Sequence, residues 1–131
     1  MRKIPLVAIL LSKGKSILVE IRKKEEDFGA GATWIPGGHV EKGETEDQAI
    51  LRECKEEFGI KLLDCKELCK LPWQKNKKQY TIQYYQCNKW AGKIKNLEAG
   101  KLIWVKPRET SKLSENVDRK AFKKFLEQTS A

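Results

Sequence analysis

The segment over residues 38–60 constrains this chain most, because it joins a glycine-containing turn to a helix that carries three neighbouring carboxylates. Thr45 is a preferred N-cap residue, and Gln48 three positions later completes a capping box. No helix-breaking residue follows until Gly59, where an α-helix is expected to stop. The pattern therefore predicts a helix that starts at Thr45 and ends at Phe58.

One face of the predicted helix is acidic. At about 100° per residue, Glu53, Glu56 and Glu57 lie within one arc. An apolar stripe runs beside them, formed by Ile50, Leu51, Cys54 and Phe58. A solvated, salt-bridged face is one interpretation, because Arg52 and Glu56 are four residues apart. The alternative is a hard divalent cation such as Mg²⁺, which binds oxygen ligands and would offset the repulsion among the carboxylates.

The spacing of the segment resembles the Nudix box. Gly38 is followed by five residues and Glu44, and after seven more residues comes the run R-E-C-K-E-E-F-G-I over 52–60. Cys54 stands where the family usually has a bulky aliphatic residue, but it is still apolar. The resemblance implies a Nudix hydrolase, which cleaves nucleoside diphosphates linked to another moiety with Mg²⁺ or Mn²⁺.

The same resemblance implies roles for individual residues. The metal ligands are expected to be the carbonyl of Gly37 and the carboxylates of Glu53, Glu56 and Glu57. Glu44 is expected to support this cluster, and Arg52 to orient one glutamate by ion pairing. Either Glu53 or the loop residue Glu98 would serve as the general base.

Length and charge restrict the class of protein. The chain has 131 residues, 40% of them hydrophobic, which predicts a single domain over residues 1–131 with its own core. The formal charge of +9 fits either attraction to polyanions or a lysine-rich solvated surface, and we expect no nucleic-acid partner. No apolar run reaches the length of a membrane span. The residues leave a monomer and a homodimer open.

The cysteines and the N-terminus bear on the compartment. The Cys65 and Cys69 pair lacks a second pair at zinc-finger spacing, so free thiols in a reducing cytosol are expected. Residues 1–11 resemble a short signal peptide, but no small-residue cleavage site follows them. A first β-strand and a cytoplasmic protein are therefore expected.

The rest of the chain reads as strands and turns up to a final helix. An apolar run over 4–11 predicts a strand buried on both faces, and a turn at 12–15 leads to a second strand over 16–21. Residues 22–33 predict a mobile loop. Residues 60–71 are strand-like and are expected to end at Pro72, and residues 73–79 predict a hairpin connection. A strand over 80–88, a turn at 90–93 and a short strand over 102–105 follow.

A last helix is expected after Ser114, a candidate N-cap residue. Its apolar face would consist of Val117, Ala121, Phe122, Phe125 and Leu126. Together with the first helix it would enclose a mixed β-sheet between α-helices. This is the α/β/α sandwich of the Nudix fold that the chain resembles.

Five residues outside the acidic face are candidate substrate contacts. Arg22 and Lys23 follow the second strand, where a basic residue often contacts phosphate in Nudix proteins of this shape. His39 lies in the loop of the box, and Tyr84 is a candidate for stacking on a base. Asn116 falls in the region where MutT-type enzymes read a purine edge with an asparagine. Each has an ordinary alternative, as a solvated loop residue, a core tyrosine or a helix start.

The small size and the MutT-like order favour a normal or oxidised nucleoside triphosphate as substrate, with monophosphate and pyrophosphate as products. His39 replaces a lysine that is frequent in MutT-type enzymes, so the resemblance to that specificity is incomplete. The alternatives are hydrolysis of ADP-ribose, a nucleotide sugar or a dinucleoside polyphosphate. Two hypotheses outside the enzymes remain: a Nudix-fold protein that senses a nucleotide without cleaving it, and an RNA-binding protein.

Overall fold

The computed structural model describes residues 2–24 and 30–129. The strands are β1 (Ile4–Lys13), β2 (Ser16–Ile21), β3 (Thr33–Trp34), β4 (Gly37–His39), β5 (Lys61–Leu63), β6 (Lys66–Lys75), β7 (Lys78–Cys87), β8 (Lys89–Ala91) and β9 (Lys101–Val105). The helices are α1 (Glu46–Phe58) and α2 (Asn116–Thr129), with a 3₁₀ segment at Pro107–Lys112. Part of the loop predicted over 22–33, namely residues 25–29, lies outside the described residues.

Strand β1 is the centre of a mixed sheet with the path β3-β2-β1-β7-β6. It runs parallel to β7 and antiparallel to β2 and β4, while β9 pairs with β2. A separate two-stranded sheet joins β5 to β8. The glycine-rich β4 is therefore held against the central strand, which fixes the position of the residues that precede α1.

The two faces of β1 are covered by different helices. Val7, Ile9 and Leu11 pack with buried residues of α1, whereas Ala8 and Leu10 pack with buried residues of α2. Successive side chains of β1 thus belong to two separate hydrophobic cores, because side chains of a β-strand point alternately to its two faces. The predicted α/β/α sandwich and the strand buried on both faces are confirmed.

Helix α1 begins and ends as predicted. Thr45 Oγ1 accepts a hydrogen bond from the Gln48 backbone N–H at 3.1 Å, and the Gln48 side chain accepts one from the Thr45 N–H at 2.9 Å. Gly59 closes the helix with a left-handed φ of 68°. The apolar stripe differs at one position: Leu51 is 48% exposed, and Ala49 takes its place in the core.

The hairpin between β6 and β7 is tighter than predicted. Strand β6 continues through Pro72, which is tolerated because β6 is an edge strand of the sheet. The connection consists of Asn76 and Lys77 alone, both with positive φ, rather than of residues 73–79. The expectation that proline ends the strand was wrong because the strand's position in the sheet was unknown.

Two smaller expectations also changed. The turn predicted at 90–93 contains part of β8, which pairs with β5. Ser114 does not cap the last helix, because its Oγ accepts a hydrogen bond from the Thr33 backbone N–H at 2.8 Å and α2 begins two residues later. The four cysteines, Cys54, Cys65, Cys69 and Cys87, carry free thiols. Among the described residues no helix is long and apolar enough to cross a membrane.

Candidate active site

The two glycines before α1 are required by close packing. A Cβ on Gly37 would lie 2.0 Å from the Val7 carbonyl oxygen, and one on Gly38 would lie 2.2 Å from Glu53 Oε1. Neither glycine has a positive φ, so the lack of space for a side chain, rather than a left-handed backbone, requires glycine here. Glycine at position 38 instead lets the Glu53 carboxylate rest directly against the backbone of β4.

Arg52 connects the loop before α1 to the acidic face of the helix. Its Nε donates to Glu44 Oε2 at 2.7 Å, and its Nη2 donates to Glu44 Oε1 at 3.0 Å and to the His39 carbonyl at 2.9 Å. Its Nη1 donates to Glu53 Oε1 and Glu56 Oε2, both at 3.1 Å. The guanidinium thus holds three carboxylates and one backbone carbonyl in fixed relative positions.

These contacts shift the pKa values of both partners and favour their charged forms. The hydrogen bonds from Arg52 and from the Glu41 backbone N–H lower the pKa of Glu44. The hydrogen bond to Glu44 is likewise the main cause that raises the pKa of Arg52. Glu44 is therefore a carboxylate that stays ionised and fixed, which fits the supporting position expected for it.

The pKa values of the more buried carboxylates, Glu53 and Glu57, are raised rather than lowered. Glu57 is 6% exposed, and its Oε2 has no hydrogen-bond partner among the described residues. Burial raises the pKa of Glu57 to about 10, and the charges of Glu20, Glu53 and Glu98 add to this effect. Burial also raises the pKa of Glu53, although Arg52 opposes it. Without a cation these two carboxylates are poorly stabilised as anions.

A buried acid that was not among the predicted site residues, Glu20, lies in the same cluster. It is 4% exposed on β2, and burial raises its pKa to about 7 against the effect of Arg22. The sequence did contain a signal, since Glu20 is the charged residue in the apolar strand over 16–21. A charged residue at a buried strand position usually has a partner or a function.

Glu98 comes close to the cluster because its loop docks on the end of α1. The backbone N–H of Leu97 donates to the Glu57 carbonyl at 3.1 Å, and that of Lys95 donates to the Phe58 carbonyl at 3.0 Å. Glu98 itself is exposed, yet its charge raises the pKa of Glu20, Glu53 and Glu57. The structure thus brings a residue 41 positions after Glu57 into electrostatic range of the helix.

The donor set fits a hard divalent cation. It offers carboxylate oxygens and a glycine-rich backbone, and the buried Oε2 of Glu57 is an acceptor to which no described residue donates. No three acidic, histidine or cysteine side chains of the described chain already surround a single point. The reason is visible at Arg52, which draws Glu53 and Glu56 towards its guanidinium. Closing a metal site would require these carboxylates to turn inward.

An open cavity adjoins the cluster at Gly37 and Gly38. Its lining includes Leu6, Ala8, Glu20, Arg22, Trp34, Ile35, His39, Trp73, Ile82, Glu115, Val117 and Asp118. Arg22 lies at the boundary between cavity and cluster, with its guanidinium 5.1 Å from the Trp34 ring centre and its Nη1 3.6 Å from Glu20 Oε1. The cavity is thus cationic and acidic at one end and aromatic along its wall.

Aromatic rings form the wall contributed by β3 and β6. Trp34 and Trp73 meet edge to face with ring centres 5.8 Å apart, and Trp73 lies 5.1 Å from the Tyr80 ring. The Trp73 indole Nε1–H donates to Glu115 at 3.2 Å, and Lys75 Nζ pairs with the same carboxylate at 2.9 Å. These contacts fix the orientation of a flat apolar surface that can stack on a planar ligand.

The first turn of α2 contributes a buried carboxylate, Asp118. It accepts hydrogen bonds from the Ile35 backbone N–H at 3.0 Å and from the Tyr84 hydroxyl at 2.6 Å. Burial raises the pKa of Asp118 to about 6, against the effect of both hydrogen bonds. Asp118 was missed in the sequence, where it appeared as one polar residue beside the apolar stripe of the last helix.

Only some of the predicted substrate contacts line the cavity. Arg22 and His39 line the cavity, and Lys23 is exposed just after Arg22. Tyr84 is fully buried in the core and supports Asp118, so its ring is not open for stacking. Asn116 is exposed outside the cavity lining, because the helix turns Val117 and Asp118 inward instead. Trp73 and Asp118, which were not predicted, line the cavity.

Comparison with known sequences gives a consistent family. Residues 2–125 match the NUDIX domain. The chain is 32% identical over 97 residues to an 8-oxo-dGTP diphosphatase of Haemophilus influenzae, across 74% of this chain and 71% of that protein. It is 27% identical over 109 residues to a CTP pyrophosphohydrolase of Escherichia coli, across 83% and 80%. An ADP-ribose pyrophosphatase of Methanocaldococcus jannaschii is 43% identical over 58 residues, across 43% and 33%.

Solved structures agree on the fold. A MutT protein from Methanosarcina mazei superposes with a TM-score of 0.84 at 20% identity, covering 100% of this chain and 99% of that one. A MutT NUDIX hydrolase from Burkholderia pseudomallei gives 0.81 at 22% identity, covering 95% and 98%. At these identities the similarity concerns the arrangement of the sheet and its two helices.

Proposed function

The chain belongs to the Nudix hydrolase family, enzymes of phosphoanhydride bonds, and we propose that it hydrolyses a nucleoside triphosphate to the monophosphate and pyrophosphate. The proposal includes dependence on Mg²⁺ or Mn²⁺. A single observation carries it: the acidic cluster and the aromatic cavity share the backbone of Gly37 and Gly38. A ligand with a base in the cavity would therefore place its phosphates at the carboxylates.

The metal would be held by the Gly37 carbonyl, Glu53, Glu56 and Glu57. A bound Mg²⁺ or Mn²⁺ would lower the pKa of a coordinated water and neutralise phosphate charge. Glu57 supports this assignment best, because its buried Oε2 lacks a donor and its charge is opposed by burial. Glu53 is placed next to it by contact with Gly38.

The remaining residues of the box act through geometry. Arg52 ties Glu44 on the loop to Glu53 and Glu56 on the helix, so that the carboxylates keep their relative positions. Glu53 or Glu98 would accept the proton of the attacking water. Both are within electrostatic range of Glu57, and burial raises the pKa of the Glu53 carboxylate.

The far end of the cavity would bind the base. Trp73, fixed by Glu115, offers a face for stacking, and Asp118 offers a carboxyl group that can accept or donate a hydrogen bond around its pKa of about 6. Arg22, at the boundary between the two ends, is placed to meet phosphate oxygens. Hydrogen-bonding groups at the base edge are the kind of contact that discriminates strongly between substrates.

The test is a pyrophosphate-release screen with Mg²⁺ over normal and oxidised nucleoside triphosphates. Glu57→Gln should abolish release, whereas Glu46→Gln on the exposed part of the same helix should leave it within about twofold. Asp118→Asn should raise KM for the preferred base about tenfold and change KM for other bases less. A uniform effect of Asp118→Asn on all bases would remove it from base recognition.

ADP-ribose hydrolysis is a second candidate, because one relative with 43% identity over 58 residues is an ADP-ribose pyrophosphatase. That similarity covers 33% of the relative, so it bears on the shared segment rather than on the substrate. ADP-ribose and dinucleoside polyphosphates therefore belong in the same screen, read by release of AMP. Turnover of these compounds without turnover of triphosphates would overturn the proposed substrate while keeping the metal site.

A further inference from the structure

The position of Glu20 is unusual for a charged residue. It lies on β2 between Val19 and Ile21, pairs in register with Trp34 and Leu102, and is 4% exposed. A carboxylate at such a position loses most of its hydration and needs compensation from nearby charge or hydrogen bonds. An apolar residue would suit the strand better, so the carboxylate calls for an explanation outside the packing of β2.

The cation at hand compensates Glu20 in part. Arg22 Nη1 lies 3.6 Å from Glu20 Oε1, towards the outer limit of an ion pair, and the Arg22 guanidinium also stacks on Trp34. Despite this pair, the Glu20 side chain is only 5% exposed, so water does little to make up for the long contact with Arg22. Glu53 and Glu98 add negative charge from other elements. The surroundings of Glu20 therefore hold more negative charge than Arg22 offsets.

A second buried carboxylate, Glu57 on α1, lies within electrostatic range of Glu20. Glu57 is 6% exposed, its Oε2 lacks a hydrogen-bond partner among the described residues, and Glu20 is the strongest of the charges that destabilise its anion. Two buried carboxylates from different elements, one with an unpartnered oxygen, are an arrangement that a bound divalent cation would stabilise. Arg52 does not compensate this pair, because its guanidinium contacts the His39 carbonyl and four other carboxylates, those of Glu41, Glu44, Glu53 and Glu56.

We propose that Glu20 is an additional carboxylate of the divalent cation site, contributed by the sheet and acting with Glu57 across from the box helix. The inference rests on the proposed function and adds a residue that lies outside the box segment. Glu20 also lines the cavity beside Gly37 and Gly38, so the cation would sit where the cavity meets the cluster. One strand and one helix would then be joined through the metal.

The test is a Mn²⁺ titration of metal-free protein, with free Mn²⁺ followed by electron paramagnetic resonance. Glu20→Gln, which keeps the size of the side chain, should weaken binding about tenfold or remove one ion from the stoichiometry. Glu115→Gln removes a carboxylate from the opposite end of the cavity and should leave Mn²⁺ binding unchanged. Arg22→Gln removes the neighbouring cation and should leave binding unchanged or tighter.

A thermal readout separates this role from a structural one. In EDTA, Glu20→Gln should raise Tm, because a buried carboxylate becomes neutral, while the increase in Tm on adding Mn²⁺ should shrink. Unchanged Mn²⁺ affinity in Glu20→Gln, together with a raised KM like that of Arg22→Gln, would overturn the proposal and make Glu20 a residue that positions Arg22. Absence of Mn²⁺ binding to the unmodified protein would overturn the proposed function as well.

Discussion

Two groups of carboxylates lie within one site, and they are stabilised in opposite ways. Around Arg52, the carboxylates of Glu44, Glu53 and Glu56 accept hydrogen bonds of 2.7–3.1 Å from one guanidinium. Between the sheet and α1, Glu20 on β2 is 4% exposed and Glu57 on α1 is 6% exposed. Glu57 Oε2 has no donor among the described residues. The first group is held by hydrogen bonds from one guanidinium, whereas in the second group Glu57 has an oxygen without a donor and Glu20 has the longer Arg22 contact of 3.6 Å.

The difference shows which carboxylates a ligand would stabilise. A carboxylate already neutralised by arginine gains little from a further cation, because part of its Coulomb energy is already realised. A buried carboxylate without a donor gains most, since the cation replaces lost hydration. In the proposed cation site the Arg52 group therefore contributes ligands in a fixed geometry, and the Glu20–Glu57 pair contributes the larger share of the affinity.

The largest expected effect comes from Glu57→Gln. The variant should lose about a thousandfold in kcat, because it removes the carboxylate that is least satisfied without metal. In EDTA the same variant should be more stable than the unmodified protein near neutral pH, because glutamine, unlike Glu57, does not have to take up a proton when it is buried without a cation. Steady-state pyrophosphate release and thermal unfolding in EDTA measure the two quantities.

Glu46→Gln serves as the matched control on the same helix, because Glu46 pairs with Lys70 on the surface. It should change neither kcat nor Tm appreciably. A Glu57→Gln protein that is both inactive and less stable in EDTA would mean that Glu57 is a structural residue, and the contrast between the two groups would fail.

Arg52→Lys tests the other group and should act in the opposite direction on stability. Lysine keeps the charge but cannot bond to Glu44, Glu53 and Glu56 at once. We expect kcat to fall about a hundredfold, because the carboxylates lose their relative positions. Stability in EDTA should fall by roughly 1–3 kcal/mol, measured by urea unfolding. Arg108→Lys on the exposed 3₁₀ segment is the control, and equal losses in both variants would contradict the role of Arg52.

The smallest effect is a pH dependence with a different sign for each group. The folded pKa of Glu57 is raised from 4.5 to about 10, so the unfolded state loses its proton first as pH rises above 4.5. Metal-free protein should therefore lose stability progressively between pH 5 and pH 8. The folded pKa of Glu44 is lowered, so its contribution is present above pH 4.5 and is lost as pH falls further.

Urea unfolding in EDTA across pH 3–9 measures this profile. In Glu57→Gln the decline above pH 5 should be smaller, while the loss at acid pH should remain because Glu44 is unchanged. Saturating Mg²⁺ should likewise flatten the decline above pH 5. A metal-free protein whose stability rises from pH 5 to pH 8 would contradict the description of the Glu20–Glu57 pair.

Much of the local structure could be predicted from the sequence. The capping box at Thr45, the stop at Gly59 and the two-sided burial of β1 depend on neighbouring residues and periodicity, and all three are confirmed. Whether a strand can continue through Pro72 depends on whether that strand lies at the edge of the sheet. That information is not local, and the prediction there was wrong.

In the site, too, local features could be predicted from the sequence and features that depend on other elements could not. Spacing along one helix placed Glu53, Glu56 and Glu57 on one face, although it could not tell that Glu57 is buried and Glu56 is exposed. Glu20 and Asp118 were missed because each becomes significant only through residues from other elements. Their sequence signal was a single acid in or beside an apolar pattern, which is also compatible with a surface position.

By itself the sequence determined the helix, its caps and the order of its carboxylates, because these follow from interactions within a few residues. Only the tertiary structure decided which carboxylates are neutralised by Arg52 and which are left buried without a donor. Desolvation and Coulomb interactions depend on distance and burial rather than on separation along the chain. Strand β2, α1 and the loop of Glu98 meet at one place only when the sheet is assembled.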